Sequence, residues 1–281
     1  MPESHVWHDK VDVQSKSSSI PIIDLHDPNV VKLVLHASET WGAFELTGHG
    51  IPLKLVKDVE EEAVRLFSLP IEQKLQALRP ANRATGYGTA PLAKLCPNLM
   101  WHEGFTIMGS PLADVYSEVM ESYQKTMKEV ADQLMLVFLE ALNIPRHKWT
   151  VSSEEVSTAL QLNAYPLCPD PSKTLGLLPH TDTSLFTIVQ QINNTDGLQI
   201  CKDGEWVTVT PANSHALLVN VCDLLHIVSN GRFKSVLHRA EVSQTCYRLS
   251  TAYFYVLPVE HEVSPLCVEG SDQYPLFRSL K

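Results

Sequence analysis

His180-Thr181-Asp182 places an imidazole and a carboxylate two residues apart, where a candidate strand begins. Side chains at i and i+2 of a strand leave on the same face, so the two can grip one ion. His238, in the candidate strand Ser235-Val236-Leu237-His238-Arg239, offers a third ligand. Two imidazoles and one carboxylate are the facial set of a non-haem Fe(II) centre, which keeps positions open for substrate and oxygen. Zinc would more often take three protein ligands and one water. A His-x-Asp triplet by itself arises often by chance, and a surface loop is its bland reading. His215 and His226 also lie near candidate strands, where a satisfied core or rim histidine competes with a ligand. His49 sits in a glycine-rich turn.

Further along, Arg248-Leu249-Ser250 puts a guanidinium fork and a hydroxyl on one strand face, a pairing that suits a carboxylate. Asn163-Ala164-Tyr165 offers an amide and a phenol on another strand. The plain alternatives are a solvated strand face for the first pair and core packing for Tyr165.

These groups need elements to position them, and the chain divides accordingly. Residues 1–19 are polar and read as a flexible tail. Residues 20–157 read as a helical region. Apolar spacing predicts helices over 29–39 and 53–67 and a long one over about 113–142. In the long one, Tyr116, Met120, Tyr123, Met127, Val130, Leu134 and Val137 form one stripe. Short strands are expected at Ile20–Leu25 and Ala43–Leu46, and residues 79–112 look irregular. From 158 to 260 the period changes to two, with candidate strands at 160–165, 185–189, 197–200, 205–209, 217–221, 235–242 and 249–256. Asp203-Gly204 and Asn230-Gly231 are turn signals. Short strands at such spacing suggest a sandwich or jelly roll. Residues 261–281 form a C-terminal extension.

Composition narrows the partners. The chain of 281 residues carries 32 acidic and 22 basic side chains, a net charge of −10. That disfavours a nucleic acid or an anionic membrane as partner. The start shows no apolar signal segment, and the apolar run 216–228 is broken by Asn220, Asp223 and His226, so no membrane span is expected. Six cysteines without any CxxC spacing read as reduced thiols of a cytoplasmic protein.

Taken in order, these pieces resemble the plant 2-oxoglutarate- and Fe(II)-dependent dioxygenases. The resemblance runs through Pro21-Ile22-Ile23-Asp24-Leu25, Trp41-Gly42-Ala43-Phe44, His49-Gly50-Ile51-Pro52 and Leu162 to Pro169. It continues through His180-Thr181-Asp182, Gly197-Leu198-Gln199, Trp206, Asn220 to Asp223, Ser229-Asn230-Gly231, His238-Arg239 and Arg248-Leu249-Ser250. Leu99 to Leu112, Gly86-Tyr87-Gly88 and Tyr274-Pro275-Leu276-Phe277 resemble the gibberellin 3-beta-hydroxylase branch.

The resemblance implies an α+β protein, a double-stranded β-helix (jelly-roll) core with N-terminal helices packed on it. It implies Fe(II) on His180, Asp182 and His238, with 2-oxoglutarate and O2 as cosubstrates and ascorbate as reductant. The far carboxylate of 2-oxoglutarate would meet Arg248 and Ser250, with Tyr165 and Asn163 as further contacts. The reaction implied is hydroxylation of a small apolar carboxylic acid, a gibberellin, by a monomer. Leu99, Met100, Trp101, Phe105 and Ile107 could wall the substrate pocket, or could simply pack their strand onto the barrel. The alternatives are a related oxygenase with another substrate, or a catalytically impaired paralogue or isoform that binds metal or hormone. A metal hydrolase is disfavoured because Arg-x-Ser has no role in one.

Three departures from the family pattern set further expectations. A segment is missing between Leu112 and Val115, Cys222 stands where glycine is usual, and the chain ends at Lys281 where relatives continue into a covering helix. An open barrel mouth is therefore expected, with cosubstrate consumed in excess of product.

Overall fold

Alternation along one strand organises the molecule. In the computed structural model, which describes residues 1–7, 16–17, 19–80, 85–88, 98–108, 118–192 and 195–266, strand β13 (Arg248–Val256) lies between β6 (Ser157–Tyr165) and β8 (Phe186–Ile192). Leu249, Tyr253 and Tyr255 join the larger apolar core beneath the helices, whereas Ala252 joins a smaller core on the opposite face. A period of two thus sends alternate side chains to two environments.

Eight strands form the larger sheet, in the order β2 (Ile22–Asp24), β3 (Ala43–Thr47), β11 (Leu217–Val221), β8, β13, β6, β5 (Glu103–Met108) and β4 (Gly86–Gly88). Five form the smaller, in the order β1 (Lys16–Ser17), β10 (Glu205–Thr208), β9 (Leu198–Lys202), β12 (His238–Ala240) and β7 (Leu177–His180). The second core joins them: Val189, Leu218 and Ala252 come from the large sheet, Leu198, Ile200 and Val207 from the small one. Two sheets facing across an apolar interior make the expected double-stranded β-helix. Asp203 and Gly204 both have positive φ (51° and 86°), the primed turn that joins β9 to β10.

On the outer face of the large sheet lie α1 (Val30–Thr40), α2 (Leu53–Phe67) and α4 (Glu118–Ala141), with α3 (Ile71–Lys74) following α2. The stripe on α4 drifts from the expected one. Met120, Tyr123, Met127, Val130 and Leu134 are buried, but the face then moves to Phe138 and Ala141, and Val137 is only partly buried. A straight helix turns every 3.6 residues, so a seven-residue pattern walks off its face. Tyr123 ties the helix to the sheet by donating to Gln190 Oε1 at 2.6 Å.

Other expectations shift in detail. Residues 79–112 contain β4 and β5, two strands that the glycine and proline content hid. A short helix, α5 (Asp223–Val228), precedes the Asn230-Gly231 turn. Residues 1–7, part of the segment expected to be flexible, are seated by backbone bonds from Leu99 to Ser4 and from Trp7 to Lys173. Tyr116, the missing segment after Leu112 and the chain beyond 266 lie outside the described residues. Among the described residues, no helix is long and apolar enough to cross a membrane.

Phe138 sits where helix and sheet meet, fully buried, its ring 5.3 Å from Phe186, 6.0 Å from Phe233 and 6.2 Å from Phe44. Phe138→Ala is expected to cost about 3–5 kcal/mol of stability. Urea unfolding should show a lower midpoint at an unchanged slope.

Candidate metal and oxoacid site

His238 opens β12 directly across from His180, which closes β7. Their ring centroids are 4.2 Å apart. Each ring spends its Nδ1–H on a backbone carbonyl two residues back: His180 on Leu178 at 2.7 Å, His238 on Val236 at 3.1 Å. That fixes the tautomer and leaves both Nε2 lone pairs free, the arrangement a metal-binding imidazole needs. Burial, with His238 beside it, lowers the His180 pKa to about 4, so the ring is neutral.

Asp182 completes the group from a position the sequence placed differently. The triplet does not begin a strand; His180 ends one, and Asp182 lies in the loop that follows. The loop turns the carboxylate back, so Oδ1 lies 3.7 Å from His180 Nε2 and Oδ2 lies 3.9 Å from His238 Nε2. These separations are too long for hydrogen bonds and suit three ligands around one ion. One ligand atom from each residue lies within 4.8 Å of the others.

The loop is pinned from α5. Asp223 N–H donates to the Asp182 carbonyl at 2.9 Å, and Leu224 N–H to that of Ser184 at 3.1 Å. The Asp223 carboxylate accepts from Thr181 and, at 2.6 Å, from Ser235, three residues before His238. Thr187, on the strand after the loop, donates its hydroxyl to Asp182 Oδ2 at 2.7 Å. Cys222 is buried beside this pair, its sulfur 3.4 Å from the Thr187 hydroxyl. Burial foremost, and then the Asp182 charge, push the thiol well above its usual pKa, so it stays protonated.

A second polar cluster lies on the inner face of the large sheet. Arg248 pairs with Tyr165 across β13 and β6, and Ser250 with Asn163. The guanidinium carbon lies 4.9 Å over the Tyr165 ring, and Nη2 donates to Gln191 at 3.3 Å. Gly197 makes room for it: a Cβ there would stand 2.9 Å from Arg248 Cδ, and φ is +142°. Arg248 is 3% exposed, yet Nε and Nη1 have no partner. A buried guanidinium with idle donors is costly unless an anion meets it. The residues therefore fit a carboxylate.

Both expected groups thus come together, whereas of the candidate wall residues Phe105 and Ile107 do not join them. Phe105 and Ile107 point away from the interior and pack in the core beneath the helices. Met100 is buried, and its sulfur accepts the Leu178 N–H. The inward positions of β5 are instead Gly104 and Thr106, opposite Asn163 and Gln161. His49 and His226 are structural, each ring bonded to a carbonyl, of His215 and Phe233 respectively. Sequence reasoning missed Thr187, Asp223, Gln191 and His102. Thr187 shares the inward phase of β8, a signal that could have found it; His102 left none.

Comparison with known proteins agrees with this geometry. Residues 157–256 match the model of the 2OG-Fe(II) oxygenase superfamily, and residues 20–129 that of the non-haem dioxygenase in morphine synthesis N-terminal family. The chain is 41% identical to gibberellin 3-beta-dioxygenase 1 of Pisum sativum, over all of this chain and 81% of that one. It is 40% identical to gibberellin 3-beta-dioxygenase 1 of Arabidopsis thaliana, over all of this chain and 85% of that one. The crystal structure of JOX2 in complex with 2OG, Fe and JA superposes with a TM-score of 0.86 at 27% identity, covering 99% of this chain and 87% of that one.

Two substitutions test the two clusters separately. Asp182→Ala should abolish Fe(II) binding and turnover while leaving the melting temperature of the metal-free protein nearly unchanged; retained turnover would remove Asp182 from the site. Arg248→Lys keeps the charge and loses the fork, so the KM for 2-oxoglutarate should rise at least about tenfold. An unaltered KM in the folded variant would count against the pairing.

Proposed function

The chain belongs to the 2OG-Fe(II) oxygenase superfamily and is a dioxygenase, and we propose that it hydroxylates a gibberellin at the 3-beta position. The observation that carries the substrate reading is the 41% identity along the whole chain to a gibberellin 3-beta-dioxygenase. The metal cluster does not discriminate, because the JOX2 structure in complex with 2OG, Fe and JA has the same fold.

His180 Nε2, His238 Nε2 and Asp182 would hold Fe(II) from one side. Fe(II) with 2-oxoglutarate supplies the oxidising chemistry, in which O2 is consumed, carbon dioxide and succinate form, and one oxygen atom enters a C–H bond. The protein's contribution is placement. Thr187 holds the Asp182 oxygen that faces His238, which keeps the carboxylate from rotating. Arg248, Ser250 and Tyr165 would take the far carboxylate of 2-oxoglutarate, whose charge offsets the buried guanidinium. Asn163, opposite Ser250, would add an amide contact. Ascorbate would keep the iron reduced between turnovers, and the four described cysteines, all free thiols, suit the cytoplasm.

A different small apolar acid as substrate is the second reading, favoured by the JA complex of the superposed structure. Anaerobically reconstituted Fe(II) protein should be given O2, 2-oxoglutarate and a panel of gibberellins and other plant acids, with products identified by mass spectrometry. The expected outcome is a 3-beta-hydroxylated gibberellin with about one succinate per product. Turnover confined to a different acid would overturn the substrate assignment, and succinate in large excess would show poor retention of the substrate.

A further inference from the structure

His102 lies just before β5, with no role in the reaction as described above. The inner face of the large sheet forms a grid around it. Tyr165 and Arg248 are cross-strand partners, Gly104, Asn163, Ser250 and Gln191 form the next row, and Thr106, Gln161, Ala252 and Val189 the row beyond. Two residues before Gly104, His102 falls in the row of Tyr165, and its ring lies 5.2 Å from that ring. From there it reaches diagonally to Asn163, with Nε2 at 2.9 Å from Oδ1. Gly104 leaves the space for this: a Cβ there would come within 2.3 Å of the Gln161 amide nitrogen, 2.9 Å of the Leu162 carbonyl and 3.2 Å of the His102 ring.

Two facts settle the direction of that bond. An amide oxygen only accepts, so Nε2 carries the proton. The ring is also neutral, its pKa lowered to about 4 by burial foremost. The other nitrogen, Nδ1, is then a bare lone pair, buried and without a partner. Asn163 has its oxygen engaged, and among the described residues its Nδ2 donates to nothing.

The geometry points to His102 as a positioning residue for the cosubstrate: its Nε2–H holds Asn163 Oδ1, so that Asn163 offers only N–H donors to the acid lying along Arg248 and Ser250. The inference rests on the cosubstrate reading above and adds to it a residue outside both clusters. Released from His102, the Asn163 amide could turn its oxygen toward the acid, where two acceptors would face each other. A neutral ring matters too, because a second cation beside Arg248 would leave another buried charge for one carboxylate to offset.

Anaerobic titration of the Fe(II) protein with 2-oxoglutarate, followed by the visible charge-transfer absorption of the complex, tests this without any hydroxylatable substrate. Failure of the gibberellin assignment therefore leaves the result intact. His102→Phe keeps the ring and deletes the donor; binding should weaken about tenfold, as for the loss of one oriented buried hydrogen bond. His102→Gln places an amide N–H where Nε2 was and should restore affinity to within about threefold of the unaltered protein. Equal affinity of the Phe variant and the unaltered protein, or equal losses in the two variants, would overturn the proposal. Nitrogen-15 NMR of histidine-labelled, zinc-loaded protein decides the matter if a variant fails to fold. The expected state of His102 at neutral pH is the Nε2–H tautomer, and an Nδ1–H tautomer would overturn the assignment.

Discussion

The buried guanidinium of Arg248 is the constraint around which the interior is arranged. It sits at the first position of β13, so the same strand that carries Leu249, Tyr253 and Tyr255 into the helix-covered core must turn Arg248 and Ser250 inward. A one-residue slip would put a charge into the apolar core and two large aromatic rings into the barrel. Pairing on both sides resists such a slip: β6 and β8 together engage every residue of β13. The cost of an incompletely paired cation is thereby held in place by packing elsewhere, which is how a binding site remains ready for an anion.

The metal cluster follows different logic. Its three residues come from the smaller sheet and the loop leaving it, and their convergence depends on polar anchors more than on apolar packing. Asp223 is central, because it touches the loop before Asp182 and the segment before His238 at once. The histidines need no distant support, since cross-strand pairing of His180 with His238 sets their spacing and local carbonyls set their tautomers. Asp182, on a loop, needs Thr187 and the backbone of α5 to hold it. Cys222 lies beside Asp182 as a protonated thiol, adding bulk next to the carboxylate without adding a charge.

How much of this was legible in the sequence depended on the range of the physics involved. The helix over 53–67 and the strand over 217–221 were found at their observed limits, because apolar periodicity is a local signal that burial enforces directly. The metal and oxoacid residues stood out only as an ordered set carried by the family resemblance, because His-x-Asp and Arg-x-Ser each arise often by chance. β4 and β5 were hidden: Gly86, Gly88 and Gly104 are needed for close approach and unusual φ, and glycine argues against a strand when only propensity is weighed. For Phe105 and Ile107 the packing alternative is the one observed, because alternation along β5 turns them to the helix-covered core. His102 was invisible, since its importance lies in a diagonal contact to a strand some sixty residues away.

The two clusters lie on different sheets, and the distance between them is set by neither. What fixes it is the small apolar core between the sheets, where Val189, Leu218 and Ala252 meet Leu198, Ile200 and Val207. Ala252 is two residues from Ser250 on β13, and Ile200 pairs with His238 on the small sheet. A larger side chain at Ala252 would wedge the sheets apart, and a smaller one at Ile200 would let them close. Either change would alter the separation of the His180, Asp182 and His238 cluster from Arg248. The interior packing of this β-helix therefore sets the separation of the two clusters as well as contributing stability, through residues that belong to neither.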